Sequence, residues 1–226
     1  MPSEEESQSL FWFRKTMFDL QEKERMRIAA DMHDTTMQDI FFIQRKLRAF
    51  QAHAPANTNT EPIDDIIQHL DAVNVTLRQN CFELHPPTLD TAGLLSTIAN
   101  YLDMQSKLCS FALFFMTDDD RRIEGKGLET KRHLFRVVQE LLHNGKKHAQ
   151  ATKVTVSCTS SETHFYLEYQ DNGIGFDSLS LLSSAKRASG IGIEQMRGRI
   201  LHIHGDFQLQ SALGQGVQVQ ITIPLI

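Results

Sequence analysis

The first part of the chain carries its apolar residues at helical spacing, and the remainder mixes helical with alternating patterns. From Ser9 to about Phe50 there is no Gly or Pro. Ile28, Met32, Thr36 and Ile40 form an apolar stripe that continues through Ile43, Leu47 and Phe50 at 4-3-4-3 spacing from Thr36, the seam of a coiled coil. His53 to Pro62 is a polar, Pro-bounded loop, after which Ile63, Ile66, Leu70, Val73, Leu77, Cys81 and Leu84 form a second seam that Pro86-Pro87 stops. Two helices with one narrow seam each are half of a bundle. A homodimer that completes four helices is therefore expected, the alternative being a hairpin packed on the rest of its own chain.

Beyond Pro87 the pattern predicts a helix over Ala92 to Lys107, a buried strand over Ser110 to Met116, a charged loop at Asp118 to Arg122, and a strongly amphipathic helix over Leu128 to Ala149. Alternating strands follow at Thr152 to Cys158 and His164 to Tyr169, then a Gly-rich turn at Asp171 to Phe176. Leu179 to Ser189 is small, polar and weakly patterned, a lid-like loop. A helix over Ile191 to His204 and strands at Phe207 to Ser211 and Val217 to Pro224, joined through Gly214 and Gly216, complete the chain. The fold class expected is α+β: a helical domain over residues 1–87, then an α/β sandwich over residues 88–226, one mostly antiparallel sheet covered on one face by helices.

Composition narrows the function classes. The 226 residues are 41% hydrophobic and 23% charged, enough for one or two ordinary cores, and the net charge of −5 argues against direct nucleic-acid binding. Cys81, Cys109 and Cys158 are odd in number and widely spaced, which suits a reducing compartment and no zinc site. Phe111 to Met116, the longest apolar run, is far short of the roughly 20 residues a membrane span needs. Met1 to Gln8 is acidic and lacks the pattern of a signal peptide, so a cytoplasmic location is expected. Leu10-Phe11-Trp12-Phe13 before Arg14-Lys15 fits either a juxtamembrane segment or part of a dimer interface.

His33 is the first candidate for chemistry. It lies about 100° around the helix from Met32, at the edge of the apolar stripe, with Asp31 and Asp34 beside it. A carboxylate that holds the proton on Nδ1 leaves Nε2 free to attack, so His33 with Asp34 is a candidate nucleophile; the bland alternative is a surface histidine on an amphipathic helix. On the helix ending near Ala149, Glu140, Asn144, Lys147 and His148 share one face. An amide oxygen is a hard ligand suited to Mg²⁺, and Lys and His can meet phosphate. Asp171-Asn172-Gly173-Ile174-Gly175 follows a strand and offers a carboxylate to an exocyclic amine. Gly190-Ile191-Gly192 precedes a helix whose N-terminus suits phosphate. Singly each is weak; in this order, flanking a short lid, they are specific.

In combination the motifs resemble the catalytic core of sensor histidine kinases, more narrowly the group that partners NarL-type response regulators. That group's phosphoacceptor helix has the pattern Glu-Arg-x-Arg-Ile-Ala-x-Asp-Leu-His-Asp-x-x-x-Gln, and residues 24–38 match it with Met32 in place of Leu. Residues 140–149, 171–175 and 190–192 are similar to the N box and two glycine boxes of the Bergerat (GHKL) ATPase fold, shared with gyrase, Hsp90 and MutL. Met196-Arg197-x-Arg199 and Gly214-x-Gly216-Val217 also fit.

The resemblance implies a homodimeric, ATP-dependent protein-histidine kinase. Asn144 with Glu140 would hold Mg²⁺, Asp171 would read adenine, and Gly173, Gly175, Gly190 and Gly192 would shape the pocket. Lys147 and His148 would reach phosphate, and His33 would be phosphorylated with Asp34 orienting it. The phosphoryl group would then pass to the receiver domain of a response regulator. Gln38 would align a water for dephosphorylating that regulator. The parent is expected to be either a membrane receptor with this region in the cytoplasm or a cytosolic kinase driven by a partner. Gly145 departs from the pattern, standing where Ala is usual and costing a helix roughly 1 kcal/mol. It leaves a non-catalytic dimeric adaptor as an alternative. A metal phosphohydrolase built on His33-Asp34 is the other, though His53, His69 and His85 give no ligand spacing.

Overall fold

In the computed structural model, which describes residues 4–55, 58–118, 120–177 and 187–226, the chain divides into two units. One is Thr16–Pro87; the other is Thr88–Ile226 together with Met1–Lys15.

α1 (Glu4–Asp31), which belongs to the helical unit from Thr16 onward, passes through a π-helical turn at Met32–Thr36 into α2 (Met37–His53), and α3 (Glu61–Leu84) returns alongside α2. The breaks follow from proline: Ala54 before Pro55 is extended, and so is His85 before Pro86, because the pyrrolidine ring excludes the helical conformation from the residue that precedes it. Pro62 sits in the first turn of α3, where its missing N–H costs nothing.

The π turn changes the register read from sequence. The Met37 N–H bonds to the Met32 carbonyl, five residues back, so the turn holds one residue more than an α turn. Thr36, placed in the apolar stripe by its spacing, is exposed, and Met37 is half-buried in its stead before Ile40 resumes the buried face. The seams also split. Ile40 and Gln44 of α2 and Ile67 of α3 are buried, and the Gln44 side chain donates to Asp71 at 2.8 Å. Ile43, Phe50, Ile66 and Val73, assigned to the seams by spacing, are exposed, as are Phe41 at 59% and Phe42 at 53%. The hairpin thus covers one face of each helix and leaves a second apolar face open.

The α/β unit begins with α4 (Thr88–Thr91) and α5 (Leu94–Ser106), where one helix from Ala92 was expected. Among the described residues its sheet has five strands in the order β1-β2-β3-β5-β4: β1 (Ala112–Thr117), β2 (Lys153–Ser160), β3 (His164–Asp171), β4 (Asp206–Ser211) and β5 (Val217–Pro224). Only β1–β2 is parallel; the other pairs are antiparallel. Strict alternation buries Val154, Val156 and Cys158 beside Tyr169 and Leu167, and those beside Val219 and Ile221, on one face. Helices α6 (Leu128–Asn144) and α7 (Arg187–His202) bury Leu134, Leu141, Leu142, Met196 and Ile200.

Two expectations are corrected here. Ser110 to Met116 is not a buried strand: β1 is a sheet edge, and Phe114 and Met116 are exposed. An apolar run of six marks a strand, but whether it is central is decided by long-range pairing. The long helix is α-helical only to Asn144 and closes in a second π turn, Gly145–Ala149, with Gln150 in the left-handed region at φ 50°.

Candidate active site

His33 lies in the first π turn with its side chain 68% exposed. Its Nδ1 is 2.9 Å from Asp34 Oδ1. A carboxylate only accepts, so Nδ1 carries the proton, and in the neutral ring the lone pair is on Nε2. Asp31 is engaged elsewhere, accepting from Arg27 at 2.6 Å. Gln38 is exposed in the first turn of α2. Among the described residues, the grouping of His, Asp, Glu and Cys at metal-ligand distances is Glu129, His133 and His202, which excludes His33.

In the α/β unit a cavity of about 310 Å³ opens between the end of α6, the turn after β3 and the middle of α7. Leu141, Ile174, Ile193, Met196, Leu209 and Val217 give it apolar walls, and Asn144, His148, Tyr169 and Asp171 supply its polar groups. Asp171 is buried at the end of β3. Its Oδ1 accepts from the Gly173 N–H at 2.9 Å and the Val217 N–H at 3.2 Å, and its Oδ2 accepts from the Tyr169 hydroxyl at 3.1 Å. Three donors fix the carboxylate and leave Oδ2 with capacity to accept again. Burial, with the Asp171 charge beside it, pushes the Tyr169 phenol well above its usual range, so it stays a donor.

The turn is held to its neighbours at several points. The Ile174 N–H donates to the Ala149 carbonyl at 2.8 Å, and Asn172 accepts from the Thr152 and Lys153 amides at 3.0 and 2.9 Å. Gly175 has φ +57° and packs against the Ala212 carbonyl, a position a side chain cannot take. On α6, Asn144 Nδ2 donates to Glu140 Oε1 at 3.3 Å. This orients the amide and leaves Oδ1 for a cation. Gly192 of α7 packs against the Glu140 carboxylate. The helices are tied further out: His202 donates to Glu129 at 3.1 Å, which holds the Glu129 carboxyl below its usual range, and Arg199 lies 3.4 Å from His133.

The structure therefore brings Asn144, His148, Asp171 and Gly175 to one cavity, while Glu140 bonds to Asn144, Gly173 bonds to Asp171 and Gly192 packs near Glu140 and Asn144, none of the three being a lining residue. Lys147 is exposed on the π turn and is not among the cavity's lining residues, because the wider turn rotates it off the Glu140–Asn144 face. Gly190 and Gly192 do not precede a helix; α7 starts at Arg187 and includes both. Residues 178–186, most of the expected lid, lie outside the described residues. Tyr169 was not singled out by the sequence. The signal was Gly145, since an alanine methyl there would stand 2.5 Å from the Tyr169 hydroxyl oxygen.

The donor set fits a purine nucleotide with a divalent cation. Apolar walls suit a flat base, a buried acceptor suits an amine, and a free amide oxygen with a carboxylate suits a hard cation. One unit thus offers a cavity of this kind, and the helical hairpin of the other carries an exposed, carboxylate-oriented histidine.

Comparison with known proteins agrees. Residues 129–226 match the histidine kinase-, DNA gyrase B- and HSP90-like ATPase family, and residues 24–89 match the histidine kinase family. The chain is 28% identical over 228 residues to the sensor histidine kinase ComP of Bacillus subtilis (strain 168), covering 98% of this chain and 29% of ComP. It is 31% identical over 206 residues to the sensor histidine kinase LiaS of the same organism, covering 90% of this chain and 54% of LiaS. The fold is similar to the histidine kinase domain of the blue-light activated histidine kinase from Erythrobacter litoralis EL346, with TM-score 0.51 and 17% identity over 83% of this chain and 94% of that one. The chain carries both of these domains, is homologous to these sensor histidine kinases, and spans about half or less of the two Bacillus relatives. Among the described residues no helix is long and apolar enough to cross a membrane.

Proposed function

We propose that the chain is the kinase core of a two-component system that phosphorylates its own His33 from Mg-ATP and passes the phosphoryl group to an aspartate on the receiver domain of a NarL-type response regulator. The observation that carries this reading is the pairing of an exposed His33, oriented by Asp34 at 2.9 Å, with a cavity built around the fixed Asp171 carboxylate. Residues 1–87 serve as the dimerisation and phosphotransfer domain and residues 88–226 as the ATP-binding domain, acting in the cytoplasm, whether or not the parent is anchored in a membrane.

Asp171 reads the base, Gly173 and Gly175 set the turn that carries it, and Asn144 with Glu140 holds Mg²⁺. His148 approaches the phosphates from the cavity wall, and Lys147, on the exposed side of the same turn, would reach only their outer oxygens. Gly190 belongs to the start of α7, and Gly192 lets that helix lie close to Glu140 of α6. A bound Mg²⁺ neutralises phosphate charge. His33 presents Nε2 as nucleophile while Asp34 keeps the proton on Nδ1 and stabilises the ring as it gains positive charge. Positioning and charge neutralisation supply most of the rate in such transfers. Incubation with γ-labelled Mg-ATP should incorporate label; bound ATP with no incorporated label would favour the non-catalytic adaptor.

The open face of the hairpin supports homodimerisation. Phe42→Glu with Ile43→Glu replaces exposed side chains, so the hairpin itself should stay helical, while a dimer would have to bury two unpaired carboxylates per chain. Light scattering at micromolar concentration should report dimers for the wild type and monomers for the variant. A monomeric wild type would contradict the four-helix arrangement.

Gln38 has no acid-base chemistry near neutral pH, so it is not needed to activate His33, but its amide can orient a water towards an aspartyl phosphate. Gln38→Ala should keep self-labelling within about threefold and slow regulator dephosphorylation at least about tenfold. Unchanged dephosphorylation would leave a kinase without phosphatase activity.

A further inference from the structure

The departure at position 145 has a physical counterpart in the sheet. Gly145 is buried in the second π turn, and the Tyr169 hydroxyl occupies the space where an alanine methyl would stand, 2.5 Å from that methyl's position. The rest of the Tyr169 ring is farther, its Cζ at 3.7 Å, so only the hydroxyl needs the room. Tyr169 lies two residues before Asp171 on the same face of β3, and its hydroxyl reaches Asp171 Oδ2 at 3.1 Å. Both Gly145 and Tyr169 line the cavity with Asp171.

We propose that Gly145 and Tyr169 form one specificity element for the purine base, in which the absent methyl admits the tyrosine hydroxyl and the hydroxyl positions and extends the Asp171 acceptor. The proposal rests on the reading of this cavity as the ATP site. A phenol has one proton and two lone pairs. With its proton committed to Asp171, the Tyr169 oxygen can only accept. The carboxylate and hydroxyl together then present acceptors alone, which favour a base with an exocyclic amine, adenine, and repel one with a carbonyl there, guanine. The phenol's raised pKa keeps the proton in place across the physiological range. The helix weakness that Gly145 introduces is therefore offset by a contact that an alanine would displace.

The test measures ATP and GTP affinity of the full chain by competition against a fluorescent ATP analogue, for the wild type, Tyr169→Phe, Gly145→Ala and the double variant. Tyr169→Phe should raise the ATP Kd about tenfold and the GTP Kd less than twofold, lowering discrimination at least about fivefold. Gly145→Ala alone should weaken ATP binding to a similar degree by pushing the hydroxyl away. In the Tyr169→Phe background the same methyl meets only the ring edge and should change ATP affinity less than about twofold. An unchanged ratio of GTP to ATP affinity in both single variants would overturn the proposal, even if melting temperatures fell, because a purely structural role would not separate the bases. Equal effects of Gly145→Ala in the two backgrounds would overturn the pairing. If the wild type bound neither nucleotide, the ATP reading itself would fail, an outcome distinct from loss of discrimination. Should Tyr169→Phe fail to fold, Gly145→Ala still carries the base comparison.

Discussion

Replacing His33 with Gln is expected to reduce self-labelling from Mg-ATP at least about 10³-fold while leaving ATP affinity within about twofold. Glutamine keeps a polar, helix-compatible side chain of similar reach, and an amide beside Asp34 can still donate to the carboxylate. It has no nitrogen lone pair available for attack, so the loss falls on chemistry alone. His33 is not among the residues that line the cavity, so the substitution takes no group away from the nucleotide's pocket. Isotope incorporation and a parallel binding titration separate the two effects. Undiminished labelling of the variant would refute the assignment of the nucleophile.

The second large effect is expected at Asp171. Asp171→Asn changes two of the four lone-pair positions into donors in a site that already supplies donors from Gly173, Val217 and Tyr169. Either the amide turns a donor toward the Gly173 and Val217 N–H groups, or the Tyr169 hydroxyl must swing round to accept from it, and in both cases the acceptor for the base is lost. The mismatch within the protein costs stability in the free and bound states alike, and the lost acceptor, at about 1–3 kcal/mol, should lower ATP affinity roughly 5-fold to 150-fold. Asn144→Asp should act at the phosphates instead: it removes the donor to Glu140 and sets two carboxylates against each other, cutting labelling at least about 100-fold with a smaller change in affinity. Both variants keep His33. When either is mixed with His33→Gln, label on the chain that retains His33 would show that phosphorylation crosses between subunits, and no label would show that it stays within one chain. Wild-type activity in both single variants would rule out the ATP site as described.

The parts of this site legible in the sequence are those whose geometry is local. His33 and Asp34 are adjacent, so their hydrogen bond needs only a helix. Glu140 and Asn144 are four apart on a helix, so their contact follows from its pitch. The Asp171 turn announces itself through its glycines. The two π turns were not legible, because a single widened turn leaves the apolar spacing on either side nearly intact while shifting what lies within it. That is why Thr36 and Lys147 were placed on faces they do not occupy. The early start of α7 was hidden for a related reason: Arg187-Ala188-Ser189-Gly190 carries no apolar marker. Tyr169 was out of reach because its meeting with Gly145 depends on how the sheet lies against α6, a long-range fact that appears in the sequence only as an unexpected glycine. The split of the hairpin seams into a covered and an open face is likewise decided by packing between helices, which spacing within one helix cannot specify.

The central claim is that this chain transfers the γ-phosphoryl group of ATP to its own histidine. The most direct measurement is to incubate the wild-type protein with γ-labelled Mg-ATP, test the label for stability in acid and in base, and locate it by peptide mapping. A phosphorus–nitrogen bond on imidazole is lost in acid and survives base, so acid-labile, base-stable label on the peptide carrying His33 is the expected result. Acid-stable label, or label on any other residue, would contradict the account.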